Sequence, residues 1–355
     1  MESGDKEEVR RTLRGDLGRA AISIVIGILC LWLSLRGIDL DQVRSALGRM
    51  SPGWLAGAVG AVVLVALMKG VRWWYLYPVH RRPPSWKRTF PTLMTAQMLN
   101  VLIPVRLGEL ARIGLMAQDD AAPGVTLSTI VVEKSLDLFS VGFLLLLVGA
   151  PVSILPEWFP AQSGMQMGIS GAVLLVGLMV LWRVRGWLKA RIVSVLGFGG
   201  LLPGAWRERL TKLASDLLDG LGALTGLRTA LPVFGFTAAI WLASILTMYF
   251  MLEAFGLMSS WYVALMLSLA IYLSNLVPTP PALVGVIGAV TVLTLGWFGV
   301  PRSDATALGL ILNIILVAPL VLMGGVAAWM RFANLTQGKW RERWAWSLGL
   351  SRKEP

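Results

Sequence analysis

The sequence has very little of the chemistry that metal centres and redox sites require. It contains one cysteine, Cys30, and one histidine, His80, among 355 residues. A single cysteine excludes an internal disulfide and a paired redox motif. One histidine in a basic stretch argues against a histidine-based metal centre. We therefore expect no metal and no cofactor, and the absence of a phosphate-binding loop motif argues against direct drive by ATP.

Charged residues are also scarce, at 15% of the chain, whereas hydrophobic residues make up 56% and the mean hydropathy is +0.70. This composition, with its repeated apolar runs, excludes an ordinary soluble domain and indicates an all-α polytopic membrane protein. The net charge of +12 is carried by basic residues beside the apolar runs. Such residues are typical of cytoplasmic loops and of contacts with anionic lipids. We therefore do not expect nucleic acid as a partner.

The apolar runs and the basic segments between them predict the path of the chain. Residues 20–330 are expected to form one integral-membrane domain with about six full transmembrane helices, near residues 20–35, 54–68, 126–147, 167–182, 231–252 and 305–330. Most of the 32 lysines and arginines then lie on the cytoplasmic side of the plasma membrane. The predicted cytoplasmic parts are an N-terminal segment (1–19), a loop that contains Lys69 and Arg72, an amphipathic linker (about 183–230) and a basic tail (331–355).

Two further apolar regions, about residues 90–116 and 261–298, are interrupted by residues that break helices. Proline removes a backbone donor, and broken backbone survives at membrane depth only against protein or a wet cavity. The distribution of basic residues requires each region to return to the side on which it entered. We therefore predict two oppositely oriented re-entrant helical hairpins, as in transporters with inverted repeats. The residues expected to break the helices are Pro104 and Gly108 in the first region and Pro278 and Pro280 in the second.

Charged residues at membrane depth mark the first interrupted region as the candidate site. Arg106, Glu109 and Arg112 are three residues apart, so on a helix they share one face, with the carboxylate between two guanidinium groups. Ionisable groups at this depth are functional candidates by default. Three more charged residues stand near the start of the span at 126–147, and these are Glu133, Lys134 and Asp137.

Two interpretations of these six charges are open, and both can hold at once. The charges sum to zero, so they can form a network of buried ion pairs that only locks the hairpin. Alternatively the arginines recognise a phosphate, for which a guanidinium has the fitting geometry. Asn100 and Asn275 stand four and three residues before a proline in the two hairpins. We expect them to approach the substrate site from opposite sides of the membrane.

The order and spacing of these residues resemble the flippase-like transmembrane region of lysylphosphatidylglycerol synthases. The resemblance covers most of the chain, and the residues that carry it are Asn100, Pro104, Arg106, Gly108, Glu109, Arg112, Glu133, Asp137, Pro278, Thr279, Pro280 and Gly285. It implies a lipid flippase or scramblase that moves a phospholipid or a polyprenyl-phosphate-linked lipid between leaflets. It also adds Gly285 to the residues that break the second hairpin. We expect a stand-alone member without the synthase domain.

Two positions depart from the pattern of that family. Lys134 stands where arginine is usual, which keeps the charge but loses the bidentate geometry. Gly288 stands in place of a glutamate that usually follows the second proline motif. The missing acid weakens the case for proton coupling at the second hairpin and leaves the substrate class more open.

Two other functions stay open beside lipid transfer. The first is transport of a small anionic solute through the same site. The second is a membrane enzyme that acts on a lipid phosphate, with Glu109, Glu133 or Asp137 as acid or base. We do not expect an enzyme, because no nucleophile with an adjacent base is present. The expected partners are membrane lipids, and a homodimer or a separate lipid-modifying enzyme is left open.

Overall fold

The computed structural model describes residues 40–77, 84–103, 107–117, 123–149, 161–198, 227–257, 260–275 and 285–347. Over these residues the secondary structure is entirely α-helical, which confirms the predicted class for this part of the chain. The predicted span at 20–35 lies outside the described residues, as do Pro104, Arg106, Pro278 and Pro280. The helices are α1 (Leu40–Gly48), α2 (Pro52–Tyr75), α3 (Trp86–Leu102), α4 (Gly108–Ala117), α5 (Pro123–Gly149), α6 (Ala161–Phe198), α7 (Leu227–Ala254), α8 (Trp261–Ser274), α9 (Val286–Gly296) and α10 (Arg302–Ser347).

Local sequence signals explain where several of these helices begin. Ser51 is extended and is followed by Pro52 at the first helical position of α2, where a missing backbone donor does no harm. The Ser260 hydroxyl accepts a hydrogen bond from the Tyr262 amide at 3.2 Å and so caps α8. Gly285 precedes α9 with a φ of 79°, a left-handed conformation that favours glycine.

Among the described residues, three helical stretches are long and apolar enough to cross a membrane: Pro52–Tyr75, Ala230–Ala254 and Arg302–Arg331. Helix α5 is also long, at 27 residues, but it carries charges in its first half. Many large apolar side chains on the outside of the bundle are exposed, for example Val173 on α6 and Leu322 on α10. In a membrane protein such side chains face lipid, where their exposure is favourable.

Both interrupted regions are broken into two short helices. The first broken segment is α3 with α4, and its helices run antiparallel, because Arg331 contacts both Thr92 near the start of α3 and Leu115 near the end of α4. The second broken segment is α8 with α9. Its helices are also antiparallel, because the Tyr262 ring near the start of α8 lies 6.1 Å from the Phe298 ring after α9.

The long helices hold the two broken segments together. Helix α10 packs against α3 and α9, α2 packs against α7, and α5 packs against α6. The close approach of α10 to α3 depends on Gly324, where an added Cβ would lie 2.6 Å from the Met94 carbonyl oxygen. The largest apolar core joins α2, α5, α7, α8, α9 and α10, and a second one around Trp73 and Leu93 joins α2 to α3 and α5.

Three predicted boundaries differ from the structure. The second span does not end near Met68, because α2 continues to Tyr75 and places Lys69 and Arg72 on the helix rather than in a cytoplasmic loop. Helix α6 continues beyond the predicted span to Phe198, and so contains the start of the predicted linker. Helix α10 continues through the predicted boundary of the basic tail to Ser347.

Candidate functional site

Asn100 and Gly108 close the first broken segment. The Gly108 amide, at the start of α4, donates to Asn100 Oδ1 on α3 at 2.8 Å. A helix start leaves backbone amides without partners, and Asn100 satisfies one of them from the neighbouring helix. A Cβ on Gly108 would overlap the Ala96 carbonyl oxygen and the Asn100 side chain. The close approach of the two helices therefore requires glycine at this position.

Arg112 pairs with two carboxylates and lies over an aromatic ring. Its Nη1 donates to Glu109 Oε2 at 3.1 Å, and its Nη2 donates to Glu133 Oε2 at 2.6 Å. The guanidinium also lies 4.0 Å from the centroid of the Trp73 ring, at cation–π distance. Arg112 thus ties α4 to α5 and α2. The predicted pairing of Glu109 with Arg112 on one helix face is observed.

A second buried arginine, Arg72 on α2, completes this network. Its side chain is fully buried, and its Nη1 donates to Asp137 Oδ1 at 2.7 Å and to Thr237 Oγ1 at 3.3 Å. Its Nη2 lies 3.5 Å from Glu133 Oε1. Glu133 therefore sits between Arg72 and Arg112. Buried carboxylates require such partners, because an unpaired charge in a low-dielectric interior is strongly unfavourable.

A feature of the sequence indicates that Arg72 lies on a helix, and the prediction of a loop overlooked it. Aromatic residues such as Trp73, Trp74 and Tyr75 gather at membrane interfaces, and they follow Arg72 rather than precede Lys69. They indicate that the helix continues to Tyr75 and that both cations lie on it. Beyond its end, Tyr77 is buried against Thr126 at 3.2 Å, and burial raises the pKa of the Tyr77 phenol to about 12.

Two lysines at the site have different surroundings. Lys134 Nζ lies 3.3 Å from Glu109 Oε1, and 53% of the Lys134 side chain is exposed. Lys69, one turn before Arg72 on α2, is half-buried. It makes no ion pair and no hydrogen bond with any residue that the structure describes. Lys134 therefore belongs to the rim of the network, whereas Lys69 makes no ion pair at contact distance with any residue that the structure describes.

These side chains surround a cavity of about 370 Å³. One side of the cavity is charged and is formed by α2, α4 and α5. We define this charged wall as the side chains of Lys69, Glu109, Arg112, Glu133, Lys134 and Asp137. Facing residues on α7 and α8 include the hydroxyl side chains of Ser244, Thr247 and Ser268. Helix α10 contributes an apolar wall of Leu316, Val317 and Leu320. The cavity is therefore polar on one side and apolar on another.

Seven of the eight predicted substrate-binding residues line this one cavity, and Arg106 lies outside the described residues. Asn100 and Asn275, from the two broken segments, both line it. Their bonds differ, however. Asn275 Nδ2 donates to the Ile271 carbonyl in its own helix at 2.9 Å, whereas Asn100 bridges two helices.

Arg331, which the sequence analysis assigned to the cytoplasmic tail, bonds to both helices of the first broken segment. Its Nη1 donates to Thr92 Oγ1 at 3.0 Å and its Nη2 donates to the Leu115 carbonyl at 2.6 Å. Leu115 lies in the last turn of α4, where carbonyl groups lack helical partners. No sequence pattern indicated this role, because the contacts join residues more than two hundred positions apart.

Within the described part of the chain, no group of three histidine, cysteine, aspartate or glutamate side chains is placed to hold a metal ion. Glu109, Glu133 and Asp137 are instead divided among arginine and lysine partners. The arrangement can hold charge at membrane depth and can receive a molecule that has a polar and an apolar part.

The comparisons with known proteins agree with this arrangement. The family model of the lysylphosphatidylglycerol synthase TM region matches residues 20–324. No curated protein and no solved structure matches the chain. Since the match extends over most of the sequence and includes every described residue of the cavity, the chain belongs to the lysylphosphatidylglycerol synthase TM region family.

Proposed function

We propose that this membrane protein is a lipid flippase or scramblase that moves a lipid with an anionic phosphate head group between leaflets. The observation that carries the proposal is the cavity between the two broken segments, with its charged wall on α2, α4 and α5 and its apolar wall on α10. Membership of the lysylphosphatidylglycerol synthase TM region family supports a role in lipid biology.

The two walls of the cavity suit the two parts of a lipid. A phosphate head group in hydrocarbon is strongly unfavourable unless charged or polar groups replace its water. The charged wall and the hydroxyl side chains of Ser244, Thr247 and Ser268 offer such groups. An acyl or prenyl chain needs only apolar contact, which Leu316 and Leu320 offer. A small anionic solute would use the charged wall alone and leaves the apolar wall unexplained.

The membrane arrangement that we propose has about six full spans and two re-entrant hairpins of opposite orientation, formed by the first and second broken segments. The lengths of the helices support it. Helices α3 and α4 have 17 and 10 residues, and α8 and α9 have 14 and 11. Each is shorter than the roughly 20 residues that a helix needs to cross a bilayer.

Labelling of single cysteines in intact cells tests this arrangement. In a Cys30→Ser background, a membrane-impermeant maleimide should label Ser163→Cys and Met258→Cys from outside and should label Arg82→Cys and Arg209→Cys only after the cells are opened. The reason is that the predicted loops alternate across the bilayer as the basic residues require. Labelling of Arg209→Cys in intact cells would exclude the proposed arrangement.

Lipid transfer is tested with the purified full chain in vesicles that contain fluorescent phosphatidylglycerol. Dithionite added outside quenches only the outer leaflet, so transfer by the protein is expected to expose the inner leaflet as well. Ser244→Phe should slow this transfer, because Ser244 lines the cavity and its hydroxyl bonds only the Ile240 carbonyl of its own helix, at 2.8 Å.

Ser170→Phe is the matched control. Ser170 is exposed on α6, away from the cavity, so the same change in side chain should leave transfer as it is. Both variants should be compared by thermal unfolding in detergent. Vesicles in which the unmodified protein leaves the inner leaflet protected would contradict the proposed function.

A further inference from the structure

Lys69 differs from the other cations of the site that the structure describes. It lies on α2 and lines the cavity, yet no described carboxylate pairs with it. Arg72 is bonded to Asp137 and Thr237 and paired with Glu133, and Arg112 is bonded to Glu109 and Glu133. The charges of both arginines are therefore already paired with carboxylates of the protein.

We infer that Lys69, and not Arg72 or Arg112, is the residue that binds the phosphate of the transported lipid. This inference rests on the proposed function, because it names the contact that the substrate makes in the same cavity. The arginines then act as positioning residues that hold α2, α4 and α5 in place. The sequence analysis offers Arg106 and Arg112 as the residues that recognise the phosphate. The observed bonds of Arg112 to Glu109 and Glu133 argue against this role for Arg112.

The charges of the site are consistent with a monovalent anion as ligand. Among the described residues, the cations Lys69, Arg72, Arg112 and Lys134 face the carboxylates Glu109, Glu133 and Asp137. One positive charge is in excess. A phosphodiester carries one negative charge and would neutralise it. An ammonium group without a counter-ion is unfavourable to bury, so the cavity gains from binding an anion at this position.

A neutral donor stands in the same cavity. Gln97 on α3 lines it, is half-buried, and makes no hydrogen bond with any described residue. Its amide can donate to a phosphate oxygen, while the flexible stem of Lys69 places a compact charge without the fixed fork geometry of arginine. A cation and an amide donor that no described residue pairs point to a ligand that accepts hydrogen bonds and carries negative charge.

The test is a lipid titration of the full chain in mild detergent, followed by native mass spectrometry. The probes are dioleoyl phosphatidylglycerol, which is anionic, and dioleoyl phosphatidylcholine, which is zwitterionic. We expect the unmodified protein to prefer phosphatidylglycerol. Lys69→Gln should weaken the binding of phosphatidylglycerol about tenfold, as expected for the loss of a charge-assisted contact. Lys69→Arg, which keeps the charge, should retain most of the affinity.

Arg49→Gln is the matched control, because it removes one positive charge from an exposed residue that does not line the cavity. It should leave lipid binding unchanged. Lys69→Gln breaks no ion pair with a described residue, so its thermal midpoint should stay near that of the unmodified protein. Equal binding of phosphatidylglycerol to Lys69→Gln and to the unmodified protein would overturn the inference, and so would an equal loss in Arg49→Gln.

Competition with glycerol 3-phosphate distinguishes a lipid from a soluble phosphate ester. We expect no displacement of phosphatidylglycerol at equal concentration, because the soluble ester lacks contact with the apolar wall. Displacement that disappears in Lys69→Gln would show that Lys69 binds soluble phosphates, and would overturn the lipid assignment.

If phosphatidylglycerol binds through Lys69 but is not transferred in vesicles, the proposed function fails and the Lys69 site stands. If transfer proceeds equally in Lys69→Gln, the Lys69 site fails instead.

Discussion

The two broken segments have the same plan, two short antiparallel helices, but they are held closed by different forces. In the first, hydrogen bonds of Asn100 with the Gly108 amide and with Glu109 join the two helices, and the ion pair of Arg112 with Glu133 fixes α4 to α5. The second has no charged residue between Trp261 and Val300. Its helices pack through apolar side chains of the main core.

Under the proposed function, this difference gives the two segments unequal roles. Ion pairs are directional and strong in a low-dielectric interior, so they fix the charged wall of the cavity in one geometry. Apolar packing is non-directional and tolerates small shifts more easily. In the proposed flippase, the first broken segment would therefore orient the charged head group, and the second would form a surface along which the lipid moves.

The largest effect is expected from Glu133→Gln, which removes the carboxylate between Arg72 and Arg112. Arg72 Nε and Nη2 and Arg112 Nε already lack hydrogen bonds, so no spare partner is present among the described residues. Breaking a buried ion pair in this way costs about 3 to 5 kcal/mol of unfolding free energy. Denaturant unfolding in detergent measures it.

Asp304→Asn is the control for this change, because Asp304 pairs with the exposed side chain of Arg49 at 3.5 Å. Exposed ion pairs contribute only about 0 to 1 kcal/mol. A loss in Glu133→Gln as small as in Asp304→Asn would mean that the charged wall does not stabilise the first broken segment.

A smaller but local effect is expected from Gly108→Ala. The new Cβ would overlap the Ala96 carbonyl and Asn100, which forces α3 and α4 apart. Overpacking of this kind typically costs about 1 to 3 kcal/mol. Gly114→Ala is the control in the same helix, since nothing lies within 4 Å of its added Cβ. That change should be neutral or stabilising by up to about 1 kcal/mol, as alanine favours helix more than glycine does. Equal thermal midpoints would contradict the close approach at Gly108.

The smallest effects come from the two asparagines and compare the segments directly. Asn100→Ala removes the cap of α4 and should cost about 0.5 to 2 kcal/mol. Asn275→Ala should change stability by less than about 0.5 kcal/mol, because the Ile271 carbonyl still accepts the Asn275 backbone amide at 3.2 Å. Thermal unfolding of the two variants side by side measures the difference. If Asn275→Ala proves the more harmful, the two segments are closed in the same way.

Much of the site could be predicted because its residues stand out in an apolar sequence. Glu109, Arg112, Glu133, Lys134 and Asp137 are charges at membrane depth, and such charges must gather where they can pair. The prediction that they belong together needed no knowledge of the packing. Arg72 and Lys69 were missed because a basic residue near the end of an apolar run is read as belonging to the loop. Only the bond between α2 and α5 shows that Arg72 points into the bundle, and only the cavity lining shows it for Lys69.

The membrane class, the helical structure and the family follow from the sequence alone, because they depend on composition, hydrophobic runs and the order of short motifs. The sequence also predicts that two apolar regions are broken, since proline and glycine act locally. Which cation pairs with which carboxylate, in contrast, depends on the packing of the helices. Arg72 and Asp137 are 65 positions apart, and Arg331 and Thr92 are 239 apart. Such pairs depend on how helices pack, and no local pattern encodes the distance between them. As a consequence, both arginines are paired with carboxylates, while Lys69 lines the cavity without an ion pair to any residue that the structure describes.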